Sequence, residues 1–106
     1  MDAARALDCL GDPTRRTVFT RLREGPLSVT EIARTMTISR PAVSQHLALL
    51  KEAGLVKDQP VGTRRVYYID PRGLSAARAW FDQFWDHALA SFQAEVARRM
   101  REEKNA

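Results

Sequence analysis

Residues 28–54 have the sequence SVTEIARTMTISRPAVSQHLALLKEAG, which predicts two short helices joined by a turn. Ser28 and Glu31 have the capping-box spacing, in which the serine hydroxyl accepts from the glutamate N–H and the glutamate carboxylate accepts from the serine N–H. We therefore expect a helix of about two turns to follow Ser28. Its apolar residues are Ile32, Ala33 and Met36.

The second helix of this stretch has its own start and stop signals. Ser39 is a favoured N-cap residue, and Pro41 fits the first turn, where the backbone N–H groups have no partner within the helix. Gly54 predicts the C-terminal end. An apolar stripe at i, i+4 and i+7 forms the inner face: Val43, Leu47 and Leu50. With a tight turn at Thr37-Ile38, the pair forms a helix-turn-helix pattern.

The remaining residues at the start of this second helix are polar, which suits a surface that contacts DNA bases. Glutamine can bond adenine at two atoms, and arginine can do the same with guanine. We predict the DNA-reading residues to be Ser39, Arg40, Pro41, Ser44, Gln45 and His46. For His46 the alternative is an ordinary solvated position on the helix.

A β-hairpin is predicted after Gly54, because two β-prone runs at 55–57 and 65–69 flank the sequence Pro60-Val61-Gly62-Thr63. The hairpin tip is basic, as expected of a wing that contacts the DNA backbone or minor groove. The wing residues that we expect to contact DNA are Gly62, Thr63, Arg64 and Arg65.

Helices are also predicted on either side of this unit. Apolar residues at helical spacing lie within 3–10, and Gly11 is expected to end that helix in the left-handed conformation. Asp12-Pro13 and Asp70-Pro71 each combine an N-cap with a first-turn proline and predict two further helices. The first of these ends at Gly25-Pro26, and the second extends to the C-terminal region.

Positive charge is concentrated in the middle of the chain. Residues 13–65 carry ten Lys and Arg against four acids, whereas residues 74–106 carry five of each sign. A basic middle region predicts a polyanionic partner, here double-stranded DNA. Candidate phosphate contacts are Arg15, Arg16 and Lys51. For Arg15 and Arg16, salt bridges on the helix surface are the alternative, which we expect for at least one of the two.

Composition and length exclude several classes of protein. The chain has 106 residues, 44% hydrophobic and 28% charged, as expected of one globular domain at 1–106 rather than a disordered chain. No apolar run is long enough to span a bilayer, and no signal core follows the N-terminus, so we expect a cytoplasmic protein without a membrane partner. Cys9 is expected to be a small buried hydrophobe, with a thiol switch across a dimer as the alternative.

Nothing in the sequence predicts an enzyme or a cofactor. It offers no local arrangement of nucleophile, base and orienting group, and it has no glycine-rich phosphate loop. A mainly helical fold with a small β-hairpin is expected, with DNA reading at about 13–69 and a C-terminal helix at about 71–102.

Four stretches also resemble one known family in order and in spacing. They are LGDPTRR at 10–16, SRPAVSQHL at 39–47, LKEAGLV at 50–56 and GTRRVYY at 62–68. These residues strongly resemble the ArsR/SmtB family. The resemblance implies a winged helix-turn-helix repressor that is dimeric and leaves its operator when a signal arrives. It also implies that the helix after Ser39 is the recognition helix and that the first and last helices form the dimer interface.

The metal ligands of many ArsR/SmtB members are not matched here. The family's thiolate pair falls at Ser28 and Thr30, and hydroxyls do not replace thiolates for a soft metal. The family's other site needs two histidines on the last helix, which offers one among Asp82, Asp86, His87 and Glu95. We predict no metal and leave the effector unassigned. A symmetric site shared across a dimer is the alternative.

The last helix is rich in aromatic residues at spacings of three and four, more than a monomer of this size can cover. We predict a homodimer that binds a palindromic operator, with an interface formed by Leu7, Trp80, Phe81, Phe84, Trp85, Leu89 and Phe92. A pocket for a small apolar ligand is a minority alternative for these aromatics. For the whole chain, the alternatives are a winged helix that binds proteins and a basic metal-binding protein.

Overall fold

The computed structural model describes residues 2–106. Helices dominate, and they are accompanied by a small antiparallel sheet of three strands. The elements in chain order are α1 (Ala3–Leu10), α2 (Pro13–Arg21), a 3₁₀ turn (Leu22–Glu24), β1 (Leu27–Ser28), α3 (Val29–Ala33), α4 (Arg40–Glu52), β2 (Val56–Val61), β3 (Arg64–Ile69) and α5 (Pro71–Asn105).

The predicted N-caps are present, because each depends on hydrogen bonds between residues two or three positions apart. At α3, the Ser28 hydroxyl accepts from the Glu31 N–H at 3.2 Å, and the Glu31 carboxylate accepts from the Ser28 N–H at 3.1 Å. The other helices that follow a predicted cap begin after Asp12, Ser39 and Asp70. These caps place the helix starts where the sequence predicted them.

Two local predictions were wrong. Gly11 has φ −71° and ψ −24°, so α1 ends in a right-handed turn, with the Gly11 N–H donating to the Asp8 carbonyl at 3.1 Å. The left-handed glycines are instead Gly54, after α4, and Gly62, in the hairpin turn. In addition, α3 has five residues rather than two full turns, and Met36 lies beyond its end.

The sheet has three strands in the order β1-β3-β2, one more than the sequence predicted. Leu27 pairs with Tyr67 and Ser28 with Val66, so the start of the helix-turn-helix is hydrogen-bonded to the wing. β2 extends through Val61, which leaves only Gly62 and Thr63 in the turn. The predicted fold class, mainly helical with a small hairpin, is confirmed.

The inner face of α4 packs into the hydrophobic core. Its predicted inner stripe of Val43, Leu47 and Leu50 is fully buried. Residues of α2, α3 and the segment after α4 close this core: Val18, Ile32, Leu55 and Val56. Because the inner face is fixed by close packing, the opposite face of α4 has a defined orientation towards solvent.

The last helix, α5, packs against the rest of the chain only at its beginning. Gly73 and Ala77 are buried, whereas every residue from 78 to 106 is exposed. We call residues 78–105 the α5 arm and residues 2–77 the winged domain. The arm gives the molecule extents of 72 × 28 × 21 Å. Within residues 2–106, no helix has the length and apolar character needed to cross a membrane.

Candidate nucleic-acid interface

The outer face of α4 presents polar side chains to solvent. The exposed residues of the predicted reading set are Ser39, Arg40, Pro41, Ser44 and Gln45. Ser39 is partly committed to the helix, because its hydroxyl accepts from the Ala42 N–H at 3.2 Å. The face therefore offers one guanidinium, one amide and a free-standing hydroxyl at Ser44, which are groups that suit base edges.

His46 is the member of the reading set that lies partly inside the protein. It is half-buried, and its Nδ1 is buried without a hydrogen-bond partner among the described residues. The side chain lies near Asp12, the N-cap of α2. The pKa of the Asp12 carboxyl is lowered, chiefly by the hydrogen bond from the Arg15 N–H and to a lesser degree by the charges of Arg15 and His46. His46 is therefore not an ordinary solvated residue of the helix surface. Its contact with a DNA base stays a prediction.

The wing places Gly62 and Thr63 at its tip, with Arg64 and Arg65 beside them, and all four are exposed. Both arginines have carboxylate partners within the chain. Arg64 Nη1 lies 3.1 Å from Glu31 Oε1, and Arg65 Nη1 lies 2.9 Å from Asp58 Oδ2. These partners belong to α3 and β2, and the sequence did not predict them because no local pattern brings them together.

Asp58 connects the wing to the recognition helix. Its carboxylate accepts from Arg65 of β3 and also lies 2.9 Å from the Lys51 Nζ at the end of α4. The carboxylate side chain is only 10% exposed. The pKa of Asp58 is lowered, first by the hydrogen bond from Lys51 and then by the one from Arg65. This three-residue bridge fixes the wing relative to α4.

Arg15 and Arg16, two of the predicted phosphate contacts, bond to the C-terminal end of α1. Arg15 Nη1 donates to the Cys9 carbonyl at 3.2 Å, and Arg16 Nη1 donates to the Leu10 carbonyl at 2.9 Å. Cationic side chains stabilise the carbonyls at a helix C-terminus. The expected alternative, salt bridges on the helix surface, is therefore not what the structure has at these two residues.

Cys9 is buried beside these contacts, as expected of a small hydrophobe. Burial raises the pKa of its thiol, although the neighbouring Arg15 opposes this effect. A thiol with a raised pKa holds less of the reactive thiolate at neutral pH.

Thr30 lies where α4 and the wing meet, a role that the sequence analysis did not give it. One cleft beside it is formed with Arg40, Pro41 and Ser44 of α4, and a second with Thr63, Arg64 and Arg65 of the wing. The two clefts share Val29 and Thr30, so they adjoin between the recognition helix and the wing. We refer to the two adjoining clefts as the Thr30 groove. The position of Thr30 in the first turn of the first helix of the motif is the sequence signal that could have indicated this role.

The residues at the family's metal positions are bonded to other groups or lie too far from one another to share a metal ion. The Ser28 hydroxyl is buried in the capping box, so it is already engaged. On the α5 arm, Glu95 pairs with Arg98 and Arg99. Within residues 2–106, no three His, Cys, Asp or Glu side chains lie close enough together to hold a metal ion.

Comparison with known proteins agrees with this geometry. A sequence model described as a helix-turn-helix domain matches residues 10–59. The HTH-type transcriptional regulator Rv2034 of Mycobacterium tuberculosis is 56% identical over 88 residues, covering 83% of this chain and 82% of that protein. The arsenical resistance operon repressor of Escherichia coli is 34% identical over 82% of this chain and 75% of its own. The chain belongs to the ArsR/SmtB family.

The fold of this ArsR/SmtB protein also matches a solved structure. The homodimeric winged helix-turn-helix DNA-binding domain Mb0332 from Mycobacterium bovis, described as a possible ArsR-family transcriptional regulator, has a TM-score of 0.62 and 31% identity, over 81% of this chain and 80% of its own. The resemblance seen in the sequence is therefore confirmed. The chain is a transcriptional regulator of the ArsR/SmtB type with a DNA-binding helix-turn-helix.

Proposed function

We propose that this protein is a homodimeric repressor that binds a palindromic operator through α4 and the wing and leaves it when a signal arrives. The observation that carries the proposal is the combination in α4 of a fully buried inner stripe and an exposed polar outer face. The name of the Escherichia coli relative supports repression, and the homodimeric Mycobacterium bovis domain supports two-fold symmetry.

For base reading we propose the predicted set on α4, in which Gln45 and Arg40 have the side chains best suited to discriminate bases. The full set is Ser39, Arg40, Pro41, Ser44, Gln45 and His46. For backbone contacts we propose the wing at 62–65, together with Thr30 in the groove. The remaining candidates for phosphate contacts are Lys51, Arg15 and Arg16. On binding DNA, each of these side chains would leave its partner within the chain, which is Asp58 for Lys51 and a carbonyl of α1 for the two arginines.

The proposed dimer interface consists of α1 and the α5 arm. Large apolar side chains on the arm have more than a third of their surface in solvent, and monomeric proteins rarely expose so many together. Leu7 belongs to α1, which packs against α5, and it is half-buried. The other proposed interface residues are Trp80, Phe81, Phe84, Trp85, Leu89 and Phe92. The division into a DNA-reading part at 13–69 and a dimerisation helix at 71–102 follows from this assignment.

We propose a releasing signal other than a metal, because hydroxyls stand at the thiolate positions Ser28 and Thr30 and the first of them caps α3. We expect the protein in the cytoplasm, where the chromosome of its bacterial relatives lies, and we propose no catalytic activity.

Selection of bound sequences from a random DNA pool tests this function. We expect enrichment of one palindrome, and a pool that shows no enriched sequence would contradict the proposal. Titrations of the selected operator and of random DNA then test the reading face. Gln45→Ala should weaken operator binding by about 1–3 kcal/mol per lost base contact, twice in a symmetric site, and leave random-DNA affinity unchanged.

A further inference from the structure

A third cleft lies at the N-terminal end of the recognition helix, apart from the two clefts at Thr30. It has a volume of about 380 Å³ and is formed between α2 and the turn that precedes α4. Its lining residues are Pro13, Thr14, Thr17, Arg21, Thr35, Met36, Thr37 and Ile38. This described lining contains one guanidinium and four threonines and no carboxylate. The cleft therefore mixes polar and apolar groups and has a net positive charge.

Arg21 joins the two walls of this cleft. Its Nε donates to Thr35 Oγ1 at 3.0 Å, and its Nη2 lies 3.4 Å from the Thr35 carbonyl. The Thr35 hydroxyl itself donates to the Ile32 carbonyl at 2.8 Å, so the arginine is held by a side chain that is itself fixed. A guanidinium has five N–H donors, of which these contacts use two. An arginine positioned in this way is preorganised to bind an oxyanion.

The position of the cleft identifies the oxyanion. A recognition helix in the major groove, about 12 Å wide, has a phosphate backbone on each side. The Arg21 cleft includes Ile38, the residue before the N-cap of α4. It shares no lining residue with the two clefts at Thr30, which reach Arg40 and Pro41 of α4 and the wing. When α4 enters the major groove, the Arg21 cleft at its N-terminal end therefore meets the phosphate backbone.

We propose that the Arg21 cleft binds a phosphate of the DNA backbone beside the N-terminus of the recognition helix. The proposal rests on the proposed DNA-binding function and adds a phosphate site to it. Arg21 supplies the charge, and the hydroxyls of Thr14 and Thr37 supply neutral donors around it. The hydroxyls of Thr17 and Thr35 are already used, because they donate to backbone carbonyls of α2 and α3. A free phosphate or sulfate ion has the same oxyanion chemistry as a DNA phosphate. The experiment must therefore distinguish binding of a free ion from binding of the DNA backbone.

A matched pair of charge variants gives the first measurement. Arg21→Gln removes the guanidinium of the cleft, and Arg23→Gln removes an exposed guanidinium that pairs with Glu24 at 3.4 Å outside it. We expect Arg21→Gln to weaken binding to operator and random DNA alike, by about tenfold for each charged hydrogen bond lost. The slope of log K against log salt should fall by about 0.9 per phosphate contact, twice in a symmetric dimer. Arg23→Gln should change neither.

Neutral methylphosphonates placed one at a time in the operator identify the phosphate. We expect one position in each half-site where neutralisation weakens the wild type but not Arg21→Gln. Thr37→Val keeps the bonds between Arg21 and Thr35 and should show part of the same effect, which separates a phosphate contact from a loss of folding. Thermal unfolding of each variant provides the check on folding.

Three results would overturn the assignment. The first is an Arg21→Gln variant whose salt slope equals that of Arg23→Gln, measured while the wild type still selects an operator. This result would reject the phosphate site and leave the proposed function intact. The second is methylphosphonate coupling at no position. The third is saturable binding of inorganic phosphate to the free protein, followed by NMR shifts at the cleft, without coupling to any DNA phosphate. A wild type that selects no DNA sequence would instead reject the proposed function itself.

Discussion

The winged domain and the α5 arm contain the same kinds of apolar side chain in opposite surroundings. Leu50 and Val43 in the winged domain are 0% exposed, whereas Leu89 and Val96 on the arm are 44% and 40% exposed. The winged domain therefore closes its core with its own chain. The arm carries large apolar side chains that its own chain does not cover, which points to a second molecule as the partner of these side chains.

The ionic contacts of the two regions differ in the same way. In the winged domain, Asp58 joins residues of α4 and β3 that are far apart in sequence. On the arm, Glu95 pairs with Arg98 and Arg99, three and four positions along the same helix. Local pairs of this kind support an isolated helix and specify no tertiary contact. Ionic contacts thus join distant elements of the winged domain, whereas on the arm they stay within one helix and contribute nothing to association.

The largest expected effect is on the arm. Phe92 is 66% exposed, and a charge at its position should prevent a second apolar surface from packing there. We expect Phe92→Glu to be monomeric in sedimentation equilibrium at micromolar concentration and to lose operator binding. Ala94→Glu, which adds the same charge on the opposite face of the helix, should remain dimeric.

Two outcomes would break the comparison. If Phe92→Glu remained dimeric like Ala94→Glu, the interface would lie elsewhere. If it lost the NMR signals of residues in the buried core, such as Leu47, the arm would belong to the same cooperative unit as the winged domain.

The next effect concerns the junction of the two regions. A Cβ on Gly73 would lie 2.2 Å from the Gly54 carbonyl oxygen, a backbone atom that cannot move away alone. We expect Gly73→Ala to lower the free energy of unfolding by about 1–3 kcal/mol in urea titrations, as overpacking does. Ser75→Ala, at an exposed position two residues further along α5, should stay within about 0.5 kcal/mol of the wild type. Equal stability of the two variants would show that α5 can move away from Gly54.

The smallest expected effect is on DNA affinity and concerns the ion pairs that join the wing to α4. Asp58→Asn removes the carboxylate that Lys51 and Arg65 share, so both cations become available to phosphates. We expect higher affinity for random DNA, with a steeper salt slope, and a smaller ratio of operator to random-DNA affinity. Unchanged random-DNA affinity would mean that the bridge does not restrain these cations.

The same residue predicts a dependence of stability on pH. Because the pKa of Asp58 is lower in the folded protein, its carboxylate contributes stability above the ordinary aspartate pKa of about 4, and this contribution is lost as pH falls through the folded pKa. Asp70 adds to the same trend, since hydrogen bonds from Arg72 lower its pKa. In urea titrations at decreasing pH, Asp58→Asn should lose less stability between about pH 5 and 2 than the wild type. A parallel loss in both proteins would exclude Asp58 as a contributor.

Features that depend on neighbouring residues could be predicted from the sequence, and those that depend on distant ones could not. The caps at Asp12, Ser28, Ser39 and Asp70 involve bonds across two or three residues, and all were predicted. The strand β1 has only two residues and exists because Leu27 pairs with Tyr67, forty positions away. No periodicity can reveal a strand of that length.

The candidate site shows the same division. The exposed face of α4 followed from its apolar spacing, because three buried residues fix the orientation of the rest of the helix. The partners of Arg64 and Arg65 came from other elements, so two cations that look free in the sequence are paired in the fold. His46 turned partly inward because α2 lies beside it, which a single helix cannot indicate.

The close approach of Gly54 and Gly73 has a consequence for the operator. Gly54, which follows the recognition helix, lies against the first turn of α5. This helix has 35 residues, from Pro71 to Asn105, and contains no glycine or proline after Gly73. At about 1.5 Å per residue, this helix is a stiff rod of roughly 52 Å. In the proposed dimer, the crossing angle of two such rods sets the centre-to-centre distance between the recognition helices. Successive major grooves on one side of DNA lie about 34 Å apart, so a few degrees of rotation between the rods would shift one half-site out of phase with the other.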